Sequence, residues 1–231
     1  MMDRPLHVEP RQQADGQTLL ASFMLAEFGS LQDRTRLLAQ RNASRINLFL
    51  LVVAAVLAGL GLAAGLPASP AMALKIIPLA LGVLLCVGLL ILHHSVHSSI
   101  AVVGLCRKAG RVRCWFADLA ADDLPYFAFL PGDDRPSYAA SSWLLRGGEL
   151  LLEVVNALLA CGLVTLLLNQ IFGQTLVAIL VGLLIGPASW ILQQTYVEES
   201  LERVQRADGA APESYFPAWK YEKRMATMAD E

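Results

Sequence analysis

VVNALLACGLVTLLLNQIFGQTLVAILVGLLIGPASWILQQTYV, residues 154–197, runs for 44 residues without an Asp, Glu, Lys or Arg. A helix needs about 20 apolar residues to cross the hydrocarbon core of a bilayer. The stretch is too long for one span and fits two. The break falls at Asn169-Gln170-Ile171-Phe172-Gly173-Gln174, which places spans at Leu150–Leu168 and Thr175–Tyr196. Upstream, Ile46–Leu74 and Ile76–Cys106 also lack the four charged residue types. The first holds a span at Ile46–Leu66, closed by the turn Pro67-Ala68-Ser69-Pro70. The second holds a span at Ile76–Leu92, with His93 to His97 running into the interface.

The expected fold is therefore an all-α membrane protein. Four transmembrane helices form two hairpins, with cytoplasmic helical extensions and a long cytoplasmic loop. The divisions are 1–45 (N-terminal region with an amphipathic helix), 46–97 (first hairpin), 98–148 (loop), 149–196 (second hairpin) and 197–231 (C-terminal tail). Composition agrees. Of 231 residues, 55% are hydrophobic and 16% charged, against about 25% charged in soluble domains, and the mean hydropathy is +0.51. Such a chain is not disordered, not a disulfide scaffold and not an ordinary soluble enzyme. A net charge of −2 gives no general attraction for nucleic acid, and none is expected as a partner.

Lys and Arg set the orientation. Six precede the first span, six lie between spans two and three, five follow span four, and the short turns hold only Lys75. This puts both termini and the central loop in the cytoplasm of a cell with an inner membrane. Ala71-Met72-Ala73 looks like a cleavage site, but the apolar segment and its leader are both too long for a secretory signal. No cleavage is expected.

On the cytoplasmic side, Leu20, Phe23, Met24, Phe28, Leu31 and Leu38 recur at roughly helical spacing. Residues 1–16 read as loose, with Gly16 to Thr18 starting a helix that can run into the first span. From Thr18 to Leu66 that would be about 70 Å. In the loop, Val112, Cys114 and Phe116 alternate with Arg111, Arg113 and Trp115, and Leu124–Leu130 is a second strand-like or membrane-surface run. Pro131–Pro136 is a turn and Ser137 an N-cap for a helix interrupted at Gly147-Gly148. Val197, Leu201 and Val204 continue span four until Asp208-Gly209-Ala210-Ala211-Pro212. We expect the helix of Leu20–Leu38 to pack on Val197–Val204 and on Trp115–Phe129, because each stripe is too thin to fold alone. Tyr215, Phe216, Trp219 and Tyr221, mixed with Lys220, Lys223 and Arg224, suit a headgroup interface or a protein groove.

No phosphate-binding, dinucleotide or nucleophile-elbow motif occurs. Cys86, Cys106, Cys114 and Cys161 form no Cys-x-x-Cys pair, and disulfides are not expected. The constellation worth weighing lies at the cytoplasmic ends of the spans. His93 and His97 share a helical face, with His94 adjacent. Glu149 and Glu153 are also four apart, and Asn47, Asn156, Gln193 and Gln194 fall at similar depth on spans one, three and four. Together they make a polar vestibule under an apolar outer half. Three readings stand: interfacial groups satisfying one another, a divalent-metal site of His93, His97, Glu149 and Glu153, and a proton- or ligand-responsive switch. No cofactor is expected under the first. Gly61-x-x-x-Gly65 and Gly182-x-x-x-Gly186 are small-residue patterns suited to close helix packing, within the chain or in a homo-oligomer.

Glu27-Phe28-x-x-Leu31-x-x-x-x-Arg36-x-x-x-Gln40, running into span one, resembles the start of a group of small bacterial four-span integral membrane proteins. The His-rich end of span two, followed by a basic loop with Trp115, is similar too. Phe116 stands where that group has an acidic residue. The resemblance covers part of the chain and implies bacterial origin and four spans, but no activity. The functional expectation is a multi-pass inner-membrane anchor, adaptor or effector subunit, with the lipid bilayer and a cytoplasmic protein as partners, and not an enzyme. The alternatives are an oligomeric channel or transporter subunit, and a metal-dependent membrane enzyme using the His/Glu cluster.

Overall fold

A computed structural model describes residues 10–64, 70–119 and 148–209. Among them the regular elements are all α-helices: α1 (Pro10–Ala64), α2 (Pro70–Leu119), α3 (Gly148–Phe172) and α4 (Thr175–Gly209). Each holds a stretch long and apolar enough to cross a membrane, which makes the chain a multi-pass membrane protein. The outward faces agree. Leu62 and Leu184 are 76% and 72% exposed, as side chains meeting lipid would be and as a water-facing surface would not tolerate in quantity.

The helix limits follow local chemistry. α1 and α2 both begin at a proline, a residue suited to the first turn because its missing N–H has no helical partner there. α1 thus starts at Pro10, earlier than the expected Gly16 to Thr18. α3 stops at a glycine. Gly173 has φ 66°, a left-handed conformation that glycine adopts without a Cβ clash. Its N–H donates to the Asn169 carbonyl at 3.0 Å, which closes the last turn. Thr175 Oγ1 donates to Asn169 Oδ1 at 3.0 Å across the same turn, so the polar break tethers α4 to the end of α3. α4 then runs through Pro187 as one helix to Gly209.

The main departure from expectation is in the loop. Residues 98–119 are not loop but the continuation of α2. Val112, Cys114 and Phe116 fit a period of two over too few residues to decide the element. Leu105, Ala109, Val112 and Phe116, spaced four, three and four, form the helical stripe that wins. Leu124–Leu130, the Pro131–Pro136 turn, Ser137, the aromatic tail and Gly65 lie outside the described residues.

The chain divides into two compact units, Met1–Leu37 with Gly104–Pro136 and Pro212–Glu231, and Leu38–Val103 with Ser137–Ala211. In the first, Leu31, Ala109 and Val112 form a small core flanked by Met24, Phe28, Leu105 and Phe116. Arg113 lies over the Phe28 ring, 5.3 Å from its centroid. The expected packing of the N-terminal helix on the segment near Trp115 is met here by Phe116 and the turns before it. Val197 and Leu201, with Val204 beside them, belong to the core of the second unit instead. That core draws on all four helices: Phe49 and Val53, Leu84, Leu92 and Val96, Leu152 and Leu159, Val197 and Leu201.

The glycines of α4 mark close helix contact. A Cβ on Gly182 would collide with Thr165 Oγ1 and come within 3.0 Å of the Cys161 carbonyl, and one on Gly186 would lie 3.3 Å from Cys161 Cβ. Gly61 has nothing within 4 Å of the corresponding position.

Candidate functional site

One face of α3 carries Glu149, Glu153 and Asn156, four and three residues apart, interleaved with Leu152 and Leu159. Helical periodicity puts them on one stripe, and packing buries that stripe. Glu153 and Asn156 are fully buried, and Glu149 is 9% exposed. Burying such groups is costly unless other elements supply hydrogen bonds. Here α2 and α4 do so, and α1 supports α2.

Glu149 is held by α2. Ser95 Oγ donates to its Oε1 at 3.0 Å, and Ser99 Oγ donates to the same atom at 2.6 Å. Asn42 Nδ2 on α1 in turn donates to Ser95 Oγ at 2.9 Å. The chain of donors runs one way, from amide to hydroxyl to the carboxyl oxygen. Glu149 also sits in the first turn of α3, where the helix dipole favours negative charge.

Deeper along the stripe, α4 takes over. Gln194 Nε2 donates to Glu153 Oε2. Asn156 Nδ2 donates to Gln193 Oε1 at 3.1 Å, and Gln193 Nε2 donates to the Ser189 carbonyl and hydroxyl at 3.2 and 3.3 Å. Asn156 Oδ1 is buried without a hydrogen-bond donor among the described residues. It presses on Gly88 of α2, where an added Cβ would collide with it and stand 2.8 Å from the Phe49 ring. Gly88 is therefore the residue that admits the Asn156 side chain between α2 and α3.

The three histidines lie elsewhere on α2. His93, His94 and His97 are exposed while Ser95 and Val96 between them are buried. His93 Nδ1 is 2.6 Å from the Tyr196 hydroxyl of α4. His97 Nδ1 is 3.0 Å from the His93 carbonyl and so carries a proton. The His93 and His97 rings lie 4.3 Å apart. The imidazoles and the carboxylates thus face different surroundings. Among the described residues no group of three or more His, Cys, Asp or Glu is arranged to hold a metal ion.

A cleft of about 360 Å³ opens above Glu149. Its walls are α1, through Leu38, Asn42 and Ile46, and α2, through Ser99, Val102 and Val103, with Gly148 and Glu149 at the start of α3 below. Gly148 lets α3 begin close against α1, since its Cβ would lie 3.1 Å from Ile46 Cδ1.

Sequence reasoning found the α3 stripe and Gln193 and Gln194, but missed Asn42, Ser95, Ser99 and Gly88. A signal existed for the serines. Ser95 and Ser99 are four apart on the face that carries Leu92, Val96 and Val103. Nothing in the sequence marks Gly88, because its neighbours come from α1 and α3. No family model, curated protein or solved structure matches this chain.

Proposed function

We propose that the protein is an inner-membrane adaptor with both termini cytoplasmic, whose helices reach out of the bilayer to present a helical surface to a soluble partner. The observation that carries this reading is the continuation of α1 and α2 as helices beyond their apolar stretches, with a core of Leu31, Ala109 and Val112 there. A chain that needed only to span the membrane would have no use for that second core. On α1 the same region leaves Leu19, Leu20, Phe23 and Leu25 exposed, Phe23 by 63%. Lys and Arg, divided 17 to 1 between the N-terminal region, central loop and C-terminal tail on one side and the short turns on the other, support a cytoplasmic placement. On this proposal the four spans pair as two hairpins, and the polar stripe of α3 fixes their register, as hydrogen-bonded polar groups do between membrane helices.

A second reading, a transporter or channel subunit, draws on Glu153, a fully buried carboxylate within a candidate span. Such residues commonly serve ion or proton pathways. A path needs polar groups along its whole length, and residues 157–164 of α3 and 176–188 of α4 carry no hydroxyl, amide or charged side chain. One pair of measurements separates the readings. A photo-crosslinker at Phe23 should form a discrete adduct with a soluble protein in intact cells, while one at Leu184 should not. Liposomes holding only this protein should pass neither cations nor anions. Flux in the liposomes without an adduct at Phe23 would overturn the adaptor.

A further inference from the structure

We infer that the cleft between α1 and α2 above Glu149 is a binding site for an ammonium group carried on a short apolar body, with Glu149 as its counter-charge. Among the described residues Glu149 is the one charged side chain lining the cleft. It is more than nine-tenths buried, and the hydrogen bonds it takes come from neutral hydroxyls, both to Oε1. No Lys, Arg or His pairs with it among the described residues. The site therefore holds a carboxyl group that hydroxyls and the helix start support but no cationic side chain of the described residues meets, in surroundings of reduced dielectric, where a matching cation gains more than it would in water.

The walls say what carries the cation. Leu38, Ile46, Val102 and Val103 offer apolar surface on both sides, and Asn42 and Ser98 supply polar rims. A volume of about 360 Å³ is in the range of small-molecule sites and far larger than a bare metal ion fills. A hard metal cation would want six or more oxygen ligands, and this cleft offers one carboxylate with one oxygen already committed. An alkylammonium uses both features: charge on Glu149, methylenes on the valines and leucine. The lining lies where α1 passes from Arg41 and Arg45 to the uncharged stretch starting at Ile46. Two sources of this chemistry reach such a level: the headgroup of an aminophospholipid and a small soluble amine.

The test uses the full-length protein purified in detergent, with two arms. Native mass spectrometry compares retention of phosphatidylethanolamine and phosphatidylglycerol at equal mole fraction. Calorimetric titration compares n-butylammonium with n-butanol, its uncharged analogue. Preference for phosphatidylethanolamine alone assigns the site to lipid, and butylammonium binding alone assigns it to soluble amines. In either arm Glu149→Gln, which keeps shape and hydrogen bonding, should weaken binding about tenfold, as expected for losing one charge-assisted contact. Should that variant fail to fold, Ala43→Trp, at a further lining position on α1, fills the cleft, leaves Glu149 in place and should abolish binding. Equal binding of butylammonium and butanol with no lipid preference would overturn the inference. So would unchanged binding in Glu149→Gln, or in Ala43→Trp.

Discussion

Asn156 shows how a membrane helix interior accepts a polar residue. Its amide N–H₂ donates to Gln193, and its carbonyl lies against Gly88 of α2, a position with no side chain to move. Gly88→Ala should therefore force Asn156 or Phe49 to shift and destabilise the protein by about 1–3 kcal/mol, the usual cost of overpacking. Gly61→Ala, with open space around it, should change stability by no more than about 0.5 kcal/mol. Reversible unfolding of both variants in mixed micelles compares them directly. Asn156→Leu removes a hydrogen bond of a kind worth about 0.6 kcal/mol on average between membrane helices. It should cost less than Gly88→Ala in the same assay. At this scale the sequence was partly legible. The spacing of Glu149, Glu153 and Asn156 is local, so it could be read. Their partners are tertiary: Asn42 is over a hundred residues away, and Gly88 carries no chemistry to notice.

The elements divide by how strongly local pattern dictates them. α3, α4 and the apolar parts of α1 and α2 are written in long uncharged runs, and the glycine at 173 ends α3 where the polar break stands. The continuation of α2 to Leu119 was not legible, because six alternating residues outweighed a stripe that needs Leu105 through Phe116 to be seen. That stripe makes its own prediction. Val112→Asp places an unpaired charge in the small core it shares with Leu31 and Ala109. Hydrogen exchange should then accelerate across residues 24–31 and 105–116 while residues 152–160 keep their protection. Uniform acceleration would mean that the two cores unfold as one. Between α3 and α4, Gly182→Leu should be among the most damaging single changes. A side chain there meets Thr165 and the Cys161 backbone carbonyl, and backbone cannot rotate away as a side chain can. The expected result is a loss of about 3 kcal/mol, the upper end of the usual overpacking cost, or failure to accumulate in the membrane.

For the whole molecule, the four apolar helices and the placement of charge carry the account. Membrane embedding follows from helix length, composition and outward-facing Leu and Ile side chains. The adaptor reading adds an orientation, and with it the claim that the second core and the exposed Leu19 to Leu25 face of α1 lie in the cytoplasm. The exposed ion pairs at the end of α4, Arg203 with Glu199 and Arg206 with Glu202, contribute little stability where water screens them, but they suit a helix leaving the bilayer. Orientation is therefore the claim on which the rest depends. Paired reporter fusions test it most directly, using alkaline phosphatase, active only outside the cytoplasm, and green fluorescent protein, fluorescent only within it. The account predicts phosphatase activity for fusions after residue 70 and after Gly173, and fluorescence for fusions after Leu119 and after Gly209. Fluorescence from a fusion after residue 70 or after Gly173 would contradict it.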